Sequence, residues 1–141
     1  MNGEFVFTGN DKAVTADEFI QLFKSRHPLE EDTLEPVKVA ELLRNSIVVS
    51  ARLNGELQGL VRILTDGYLF GAITEVLAQP STFNDAEFWT KMLTVAASVC
   101  PTRLVLATHR ADPELLRDIG WEYALPSYVY RGKPRVANDH K

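Results

Sequence analysis

Hydrophobic and polar positions change their spacing several times along the chain, and each change predicts an element. Residues 5–7 form a short apolar run that predicts a first strand. Thr15 and Glu18 have the spacing of a helix-capping box, ahead of apolar residues that share one helical face as far as about Arg26. The same spacing predicts a second helix over residues 37–43. The chain is therefore expected to begin with one strand and two helices.

The middle of the chain carries the clearest turn signal. Asn54-Gly55 separates two β-rich segments, residues 46–53 and 56–64. This dipeptide favours a type I′ turn because both central positions of that turn need a positive φ, which asparagine and glycine tolerate. The two segments are therefore predicted to form a β-hairpin.

A second pair of the same kind, Asp66-Gly67, precedes a third β-rich segment at residues 68–78. Pro80 follows and ends this strand, because proline has no main-chain N–H to donate to a central ladder. The three strands in the middle of the chain are predicted to be antiparallel.

Helical spacing returns in the second half of the chain. Residues 84–87 have the composition of a helix start, and the apolar positions after them recur at helical spacing until Pro101. Residues 104–107 are an apolar run typical of a strand buried on both faces, and the helix before it favours parallel pairing with a neighbour.

The last elements are a helix and a strand. Pro113 suits a first helical turn, Gly120 suits the position just after a helix, and residues 121–131 are predicted to form the final strand. The predicted order is β-α-α-β-β-β-α-β-α-β, an α/β (α+β) fold with a mixed sheet. We expect residues 1–131 to form a single domain and residues 132–141 a C-terminal tail.

Composition narrows the classes of function. The 141 residues are 45% hydrophobic, with 15 basic and 19 acidic side chains and a net charge of -4, which is typical of one soluble globular domain. This charge disfavours nucleic acid as a partner, and no apolar run suggests a membrane or a secretion signal, so we expect a cytoplasmic protein. The single cysteine, Cys100, excludes an internal disulfide, and three scattered histidines predict no metal site.

Three local patterns in this order resemble the GNAT N-acyltransferase family. They are the hairpin at residues 47–62, the strand-to-proline segment at residues 73–80, and the helix-Gly-aromatic segment at residues 114–121. The resemblance implies a mostly antiparallel central sheet of about six strands flanked by about four helices. It also implies use of acetyl-CoA, whose pantetheine arm lies in an opening between the fourth and fifth strands.

Family members hold that arm and polarise the thioester carbonyl through main-chain groups of the fourth strand. The resemblance assigns this part to Val76, Leu77 and Ala78, although an apolar strand in a core would have the same side chains.

The coenzyme pyrophosphate is bound in the following turn, where the corresponding residues here are Ser81, Thr82 and Asn84. This turn departs from the family pattern, since it lacks the usual Gln/Arg-x-x-Gly-x-Gly/Ala motif. Asp85 and Glu87 neutralise the positive end of the helix, which opposes an anion there.

A second departure is in the terminal helix. Many relatives carry a tyrosine there as general acid, whereas this chain has Leu116. A general acid typically contributes about 10²–10⁴ in rate, so its loss lowers activity without abolishing it.

An amine acceptor must lose a proton, so a carboxylate or imidazole is needed near the thioester. Glu75 in the fourth strand is one candidate for this base, with pairing to Arg62 as the alternative. His109 after the fifth strand is the other, with a loop contact as its alternative. Tyr128 and Tyr130 share one face of the final strand and are candidates to bind the acceptor, or to pack in the core.

Three functions therefore stay open. The first is an N-acetyltransferase that acts on a small-molecule or peptide amine. The second is a catalytically inactive GNAT-fold module that binds a ligand or a protein. The third is a cleft that binds a ligand less anionic than coenzyme A, which Phe83 and Phe88 in the turn suit. The exposed edge of the final strand suits a homodimer.

Overall fold

The elements of the computed structural model follow the predicted order. The structure describes residues 3–26, 34–82, 85–100, 103–106 and 113–121. Within these ranges the elements are β1 (Phe5–Thr8), α1 (Ala16–Arg26), α2 (Pro36–Arg44), β2 (Ile47–Leu53), β3 (Glu56–Thr65), β4 (Phe70–Ala78), α3 (Ala86–Val99), β5 (Arg103–Leu106) and α4 (Pro113–Asp118). Of the predicted sixth strand at residues 121–131, only Trp121 is described.

One sheet connects the described strands in the order β1-β2-β3-β4-β5. The first four strands are antiparallel neighbours, whereas β5 runs parallel to β4. The mostly antiparallel mixed sheet and the parallel orientation of β5 are therefore both confirmed. β3 lies at the centre and pairs along most of its length with β2 and with β4.

Each face of the sheet carries its own hydrophobic core. Helices α1 and α2 cover one face, where the buried side chains include Phe19, Leu22, Val39, Val48, Leu60 and Leu77. Helices α3 and α4 lie on the other face, where they include Val49, Val61, Ile63, Phe88, Met92 and Ala96. The alternation of side chains along β3 supplies both cores, since successive residues of a strand point to opposite faces.

The first hairpin turn has the predicted geometry. Asn54 and Gly55 have φ values of 53° and 82°, as a type I′ turn requires.

The prediction for the second turn is wrong. β4 begins at Phe70 rather than at residue 68, and a longer loop precedes it. The Asp66 carboxylate accepts hydrogen bonds from the main-chain N–H groups of Tyr68 (2.8 Å), Leu69 (2.8 Å) and Phe70 (3.1 Å). These N–H groups lower the pKa of Asp66. The aspartate therefore acts as a local cap for the loop. Of the two residues Asp66 and Gly67, only Gly67 has a positive φ, whereas a type I′ turn needs two.

The capping box at the start of α1 is confirmed. The Thr15 N–H donates to Glu18 Oε1 at 3.0 Å, and the Glu18 N–H donates to Thr15 Oγ1 at 3.1 Å. Arg52 of β2 also donates to both oxygens of Glu18, at 2.6 and 2.9 Å. These bonds to Arg52 lower the pKa of Glu18 and raise that of Arg52. The start of α1 is thereby fastened to the sheet.

β5 is less buried than its sequence predicts. Leu104 and Leu106 pack in the core on the α3 face of the sheet, but Val105 on the opposite face is 37% exposed. An apolar run does not reveal how completely neighbouring elements cover it.

Gly120 lies just after α4, in the predicted C′ position, and has a φ of 96°. The Gly120 N–H donates to the Arg117 carbonyl at 3.1 Å, and the Trp121 N–H donates to the Leu116 carbonyl at 2.8 Å. This pair of bonds is a Schellman motif.

Candidate functional site

The β4 strand extends beyond its described ladder with β5, whose described residues end at Leu106. Pairing of β4 with β5 runs from Phe70 opposite Arg103 to Ile73 opposite Leu106. β4 continues to Ala78 and stays paired with β3 over that distance. No described strand pairs with the other edge of β4 beyond Ile73. The opening that the family resemblance implies between the fourth and fifth strands would lie along this edge, next to residues that follow Leu106 and are outside the described ranges.

A β-bulge lies in β4 directly after Ile73, the last β4 residue in the described ladder with β5. In the ladder between β3 and β4, Ile63 is opposite Ile73, whereas Arg62 is opposite Glu75. Thr74 is the extra residue on β4. A bulge of this kind bends its strand and increases the local twist, and bulges are frequent next to active sites.

Glu75 is engaged by Arg62 across the bulge. Arg62 donates from Nε to Glu75 Oε2, and from Nη2 to Oε1 at 3.0 Å. The Thr74 hydroxyl lies 2.7 Å from Glu75 Oε2 and 3.2 Å from the Arg62 carbonyl oxygen. Arg62 is only 8% exposed, so the pair is largely withdrawn from water. The pairing that the sequence left open as an alternative is present.

The same guanidinium also reaches the end of α2. Arg62 Nη1 donates to Ser46 Oγ at 3.0 Å, and the Ser46 hydroxyl donates to the Leu42 carbonyl at 2.6 Å. The arginine thus joins β3, β4 and α2. Sequence reasoning named Arg62 only as a partner of Glu75 and missed this wider role, for which Ser46 gives no sequence signal.

The three residues assigned to main-chain contacts have inward side chains. Leu77 and Ala78 are 2% and 1% exposed, and they belong to opposite cores. Val76 is half-buried against the α3 side. Any contact of these residues with a ligand in the opening would therefore involve the main chain.

The turn after β4 is compact. The Gln79 N–H donates to the Gln58 carbonyl at 2.8 Å, and the Thr82 N–H donates back to the Gln79 carbonyl at 2.9 Å. Ser81 is exposed and Thr82 is buried. Asn84 lies outside the described residues. The Asp85 N–H donates to the Thr82 carbonyl at 3.0 Å, which joins the turn to the start of α3.

Acidic side chains already occupy the start of α3. Asp85 is the N-cap, and its carboxylate accepts from the Phe88 N–H at 3.2 Å. Glu87 lies in the first turn and pairs with Lys91 at 3.3 Å. Negative charge here stabilises the helix and weakens its attraction for a phosphate group.

Three site candidates, His109, Tyr128 and Tyr130, lie outside the described residues. Leu116 of α4 is half-buried against the α3 side of the core, where it supplies packing and no proton donor.

A cavity of about 390 Å³ opens between β1 and the start of α3. Its walls include Phe5, Phe7 and Phe88, whose ring centroids are 5.2 to 6.1 Å apart. Glu4, Asp85 and Glu87 contribute carboxylates at its rim, and Lys91 Nζ lies 6.0 Å from the Phe7 ring centroid. The sequence showed the alternating phenylalanines of β1 but not the cavity that they line.

The described ranges contain no cluster of three or more His, Cys, Asp or Glu side chains that could hold a metal ion. In the same ranges no helix is both long and apolar enough to cross a bilayer.

Comparison of the fold with solved structures finds acetyltransferases. A GNAT-family acetyltransferase from Streptococcus pneumoniae TIGR4 is 14% identical with a TM-score of 0.67, over 91% of this chain and 99% of that one. A ribosomal-protein-alanine N-acetyltransferase from Brucella melitensis is 19% identical with a TM-score of 0.62, over 92% and 100%. An aminoglycoside acetyltransferase from an uncultured soil sample, solved with sisomicin, is 14% identical with a TM-score of 0.65, over 92% and 97%.

This chain therefore has the fold of the GNAT acetyltransferases, as its sequence patterns predicted. No protein-family model and no curated protein matches the sequence. The chemistry of the site consequently has to be argued from the residues of this chain, because a fold alone does not establish a function.

Proposed function

We propose that this protein is an acyl-CoA-dependent N-acetyltransferase, with acetyl-CoA lying across the opening at the edge of β4. The observation that carries the proposal is the fold that this chain shares with acetyltransferases over 91–92% of its length. We infer that the main-chain groups of β4 after Ile73 meet the extended ligand, as the family resemblance implies. The shared fold of an aminoglycoside and a ribosomal-protein acetyltransferase supports this use of the opening.

In the proposed reaction an amine nitrogen attacks the thioester carbonyl carbon. The C–N bond forms, the C–S bond breaks, the coenzyme leaves as a thiolate, and the nitrogen loses a proton. Main-chain groups of Val76, Leu77 and Ala78 hold the pantetheine arm and polarise the carbonyl, a type of stabilisation worth about 10²–10³ in rate per donor. Ser81, Thr82 and Asn84 contact the pyrophosphate.

The proton acceptor is Glu75 or His109. Protonating Glu75 would remove the charge that binds Arg62, and hydrogen bonds to charged groups are each worth about 1.5–3 kcal/mol. This cost favours His109 as the base, and Glu75 then has a structural role as the partner of Arg62. The acceptor is a small-molecule or peptide amine, and Tyr128 and Tyr130 contribute to its binding.

Isothermal titration of acetyl-CoA into the full-length protein tests the proposal. We expect saturable binding that persists at moderate salt, and weaker binding of free pantetheine, which lacks the nucleotide and pyrophosphate. Desulfo-CoA serves as the control that retains those groups without the thioester. No heat and no thermal shift at millimolar acetyl-CoA would contradict the proposal.

The cavity between β1 and α3 favours a second candidate, a GNAT-fold module that binds a ligand without catalysis. Three phenylalanine rings and a rim of carboxylates suit an apolar cation, since cations bind aromatic faces and pair with carboxylates. If acetyl-CoA does not bind, titration with tetramethylammonium and with alkylamines is the next measurement. Phe7→Ala should weaken that binding, whereas Val6→Ala on the exposed face of β1 should not.

A further inference from the structure

The Arg62–Glu75 ion pair lies at the bulge of β4. Ile73 is the last residue of β4 in the described ladder with β5, and Thr74 is the bulge residue directly after it. Glu75 follows and is held by two hydrogen bonds from Arg62. The residues assigned to thioester contact, 76–78, come next along the strand.

We propose that Arg62, Thr74 and Glu75 form a positioning clamp that fixes the bulge and thereby aims the main-chain groups of residues 76–78 at the thioester. The name "β4 clamp" denotes these three residues. This inference rests on the proposed function, because the clamp has its proposed role only if an acyl-CoA thioester binds along β4.

Strand register explains why the bulge needs to be fixed. Without the extra residue, Thr74 would lie opposite Arg62, and Glu75 would lie opposite Val61. Val61 points into the α3 core, so the shift would turn the Glu75 carboxylate toward apolar side chains. Every residue after it would also change face, including Leu77 and Ala78. The ion pair forms only in the bulged register and therefore selects that register.

The clamp is rigid because its groups are anchored on several sides. The planar guanidinium fork binds the carboxylate through two parallel bonds, which fixes its orientation as well as its distance. Its third nitrogen is held by Ser46, which is itself bonded to the Leu42 carbonyl of α2. The Thr74 hydroxyl has one proton and donates it either to Glu75 or to the Arg62 carbonyl, so both positions tie the bulge to the pair.

The position of the main-chain groups of residues 76–78 relative to the thioester affects the rate of the proposed reaction. A misplacement of about 1 Å at a reacting centre can cost about 10²-fold in rate. The clamp residues do not themselves touch the thioester in this proposal, so they are positioning residues.

Carbon-13 NMR of [1-¹³C]acetyl-CoA bound to the full-length protein tests the clamp directly. Polarisation of the carbonyl by β4 should move its resonance downfield from that of the free thioester. Arg62→Lys replaces the fork with a single ammonium that cannot bind both carboxylate oxygens in parallel. Thr74→Val removes the hydroxyl at an exposed position and threatens folding less. We expect both variants to lose at least half of the downfield shift.

Arg52→Lys is the matched control. Arg52 also binds a carboxylate through two hydrogen bonds, but it lies on β2, two strands away from β4. This variant should lose stability and keep the full downfield shift. Binding of desulfo-CoA should change by less than about threefold in all three variants, because that ligand has no thioester carbonyl.

The outcomes separate the clamp from the proposed function. Suppose that the carbonyl resonance of acetyl-CoA is shifted in the wild-type complex and equally shifted with Thr74→Val. The clamp proposal is then wrong, even if Arg62→Lys fails to fold. Binding without any downfield shift in the wild-type protein would also overturn the clamp, while leaving coenzyme binding intact. If the wild-type protein binds no acetyl-CoA, the proposed function fails first, and the clamp fails with it.

Discussion

Arg52 and Arg62 each bind a carboxylate from another element, but their surroundings differ. The Arg52 side chain is 21% exposed and fastens the start of α1 to the sheet. The Arg62 side chain is 10% exposed and has partners on β4 and next to α2. Removing one partner of a buried ion pair costs about 3–5 kcal/mol, whereas exposed pairs contribute about 0–1 kcal/mol. Arg62 is therefore the more consequential of the two for the shape of the site.

The Glu18–Arg52 pair makes stability depend on pH in a defined direction. Arg52 lowers the pKa of Glu18 below 4.5 in the folded protein. A depressed folded pKa contributes stability above the unfolded pKa, and this contribution is lost as the pH falls through the folded value. Glu18→Gln keeps the spacing of a capping box but removes the charge. We expect it to cost about 1 kcal/mol at neutral pH, because the pair is partly exposed to solvent.

Urea unfolding of the wild-type protein and of Glu18→Gln at pH 7 and at about pH 3 measures this difference. The gap between the two proteins should shrink at the acid end. Glu35→Gln makes the same change in an exposed pair with Lys38 and should leave the unfolding free energy nearly unchanged. A gap between wild type and Glu18→Gln that stays constant with pH would contradict the assignment.

At the scale of elements, the start of α3 sets how well the chain can hold an anion. Its N-cap is Asp85, and Glu87 lies in its first turn. A charge at a helix terminus is worth about 0.3–1 kcal/mol, so this arrangement weakens phosphate binding without preventing it. We therefore expect the acidic start of α3 to lower the affinity for coenzyme A without abolishing binding.

Reversing one charge at this terminus should strengthen coenzyme binding. We expect Glu87→Lys to lower the Kd for acetyl-CoA by about 3- to 30-fold, because two units of charge change in the first turn. The gain should fall with added salt, since the position is exposed. Glu35→Lys at the start of α2 is the control and should have no such effect. Titration calorimetry at two salt concentrations measures both, and an unchanged Kd for Glu87→Lys would place the pyrophosphate elsewhere.

At the scale of the whole molecule, β3 couples the two cores. Leu60 is fully buried on the α1–α2 face, and its neighbour Val61 is fully buried on the α3 face. A cavity made in one core should therefore destabilise the entire domain. Cooperative unfolding of this kind is usual for single domains of this size.

Leu60→Ala tests this coupling and should cost about 2–5 kcal/mol. The two tryptophans, Trp89 and Trp121, pack on the opposite face of the sheet and report on the other core. Their fluorescence and far-UV circular dichroism should give the same lowered urea midpoint. Val37→Ala at an 81% exposed position should change neither signal. Separate midpoints for the two probes would indicate that the cores unfold independently.

The local structure of several turns and helix ends follows from short stretches of sequence. The capping box of α1, the Asn54-Gly55 turn and the Gly120 helix end were all predictable, because each depends on hydrogen bonds and φ values within a few residues. The element order followed from the same signals. The prediction for the second turn was wrong. Asp66-Gly67 is a dipeptide typical of two-residue turns, but here the Asp66 side chain caps a longer loop.

The arrangement around β4 depends on contacts between distant parts of the chain. The sequence left open whether Glu75 pairs with Arg62, and it gave no indication of the bulge at Thr74 or of the cavity beside Phe7. These features depend on which strands become neighbours and in what register. The bulge changes the register of β4 within the strand, away from the turn, where the register depends on which side chains become buried against other elements. The turn residues alone therefore do not reveal it.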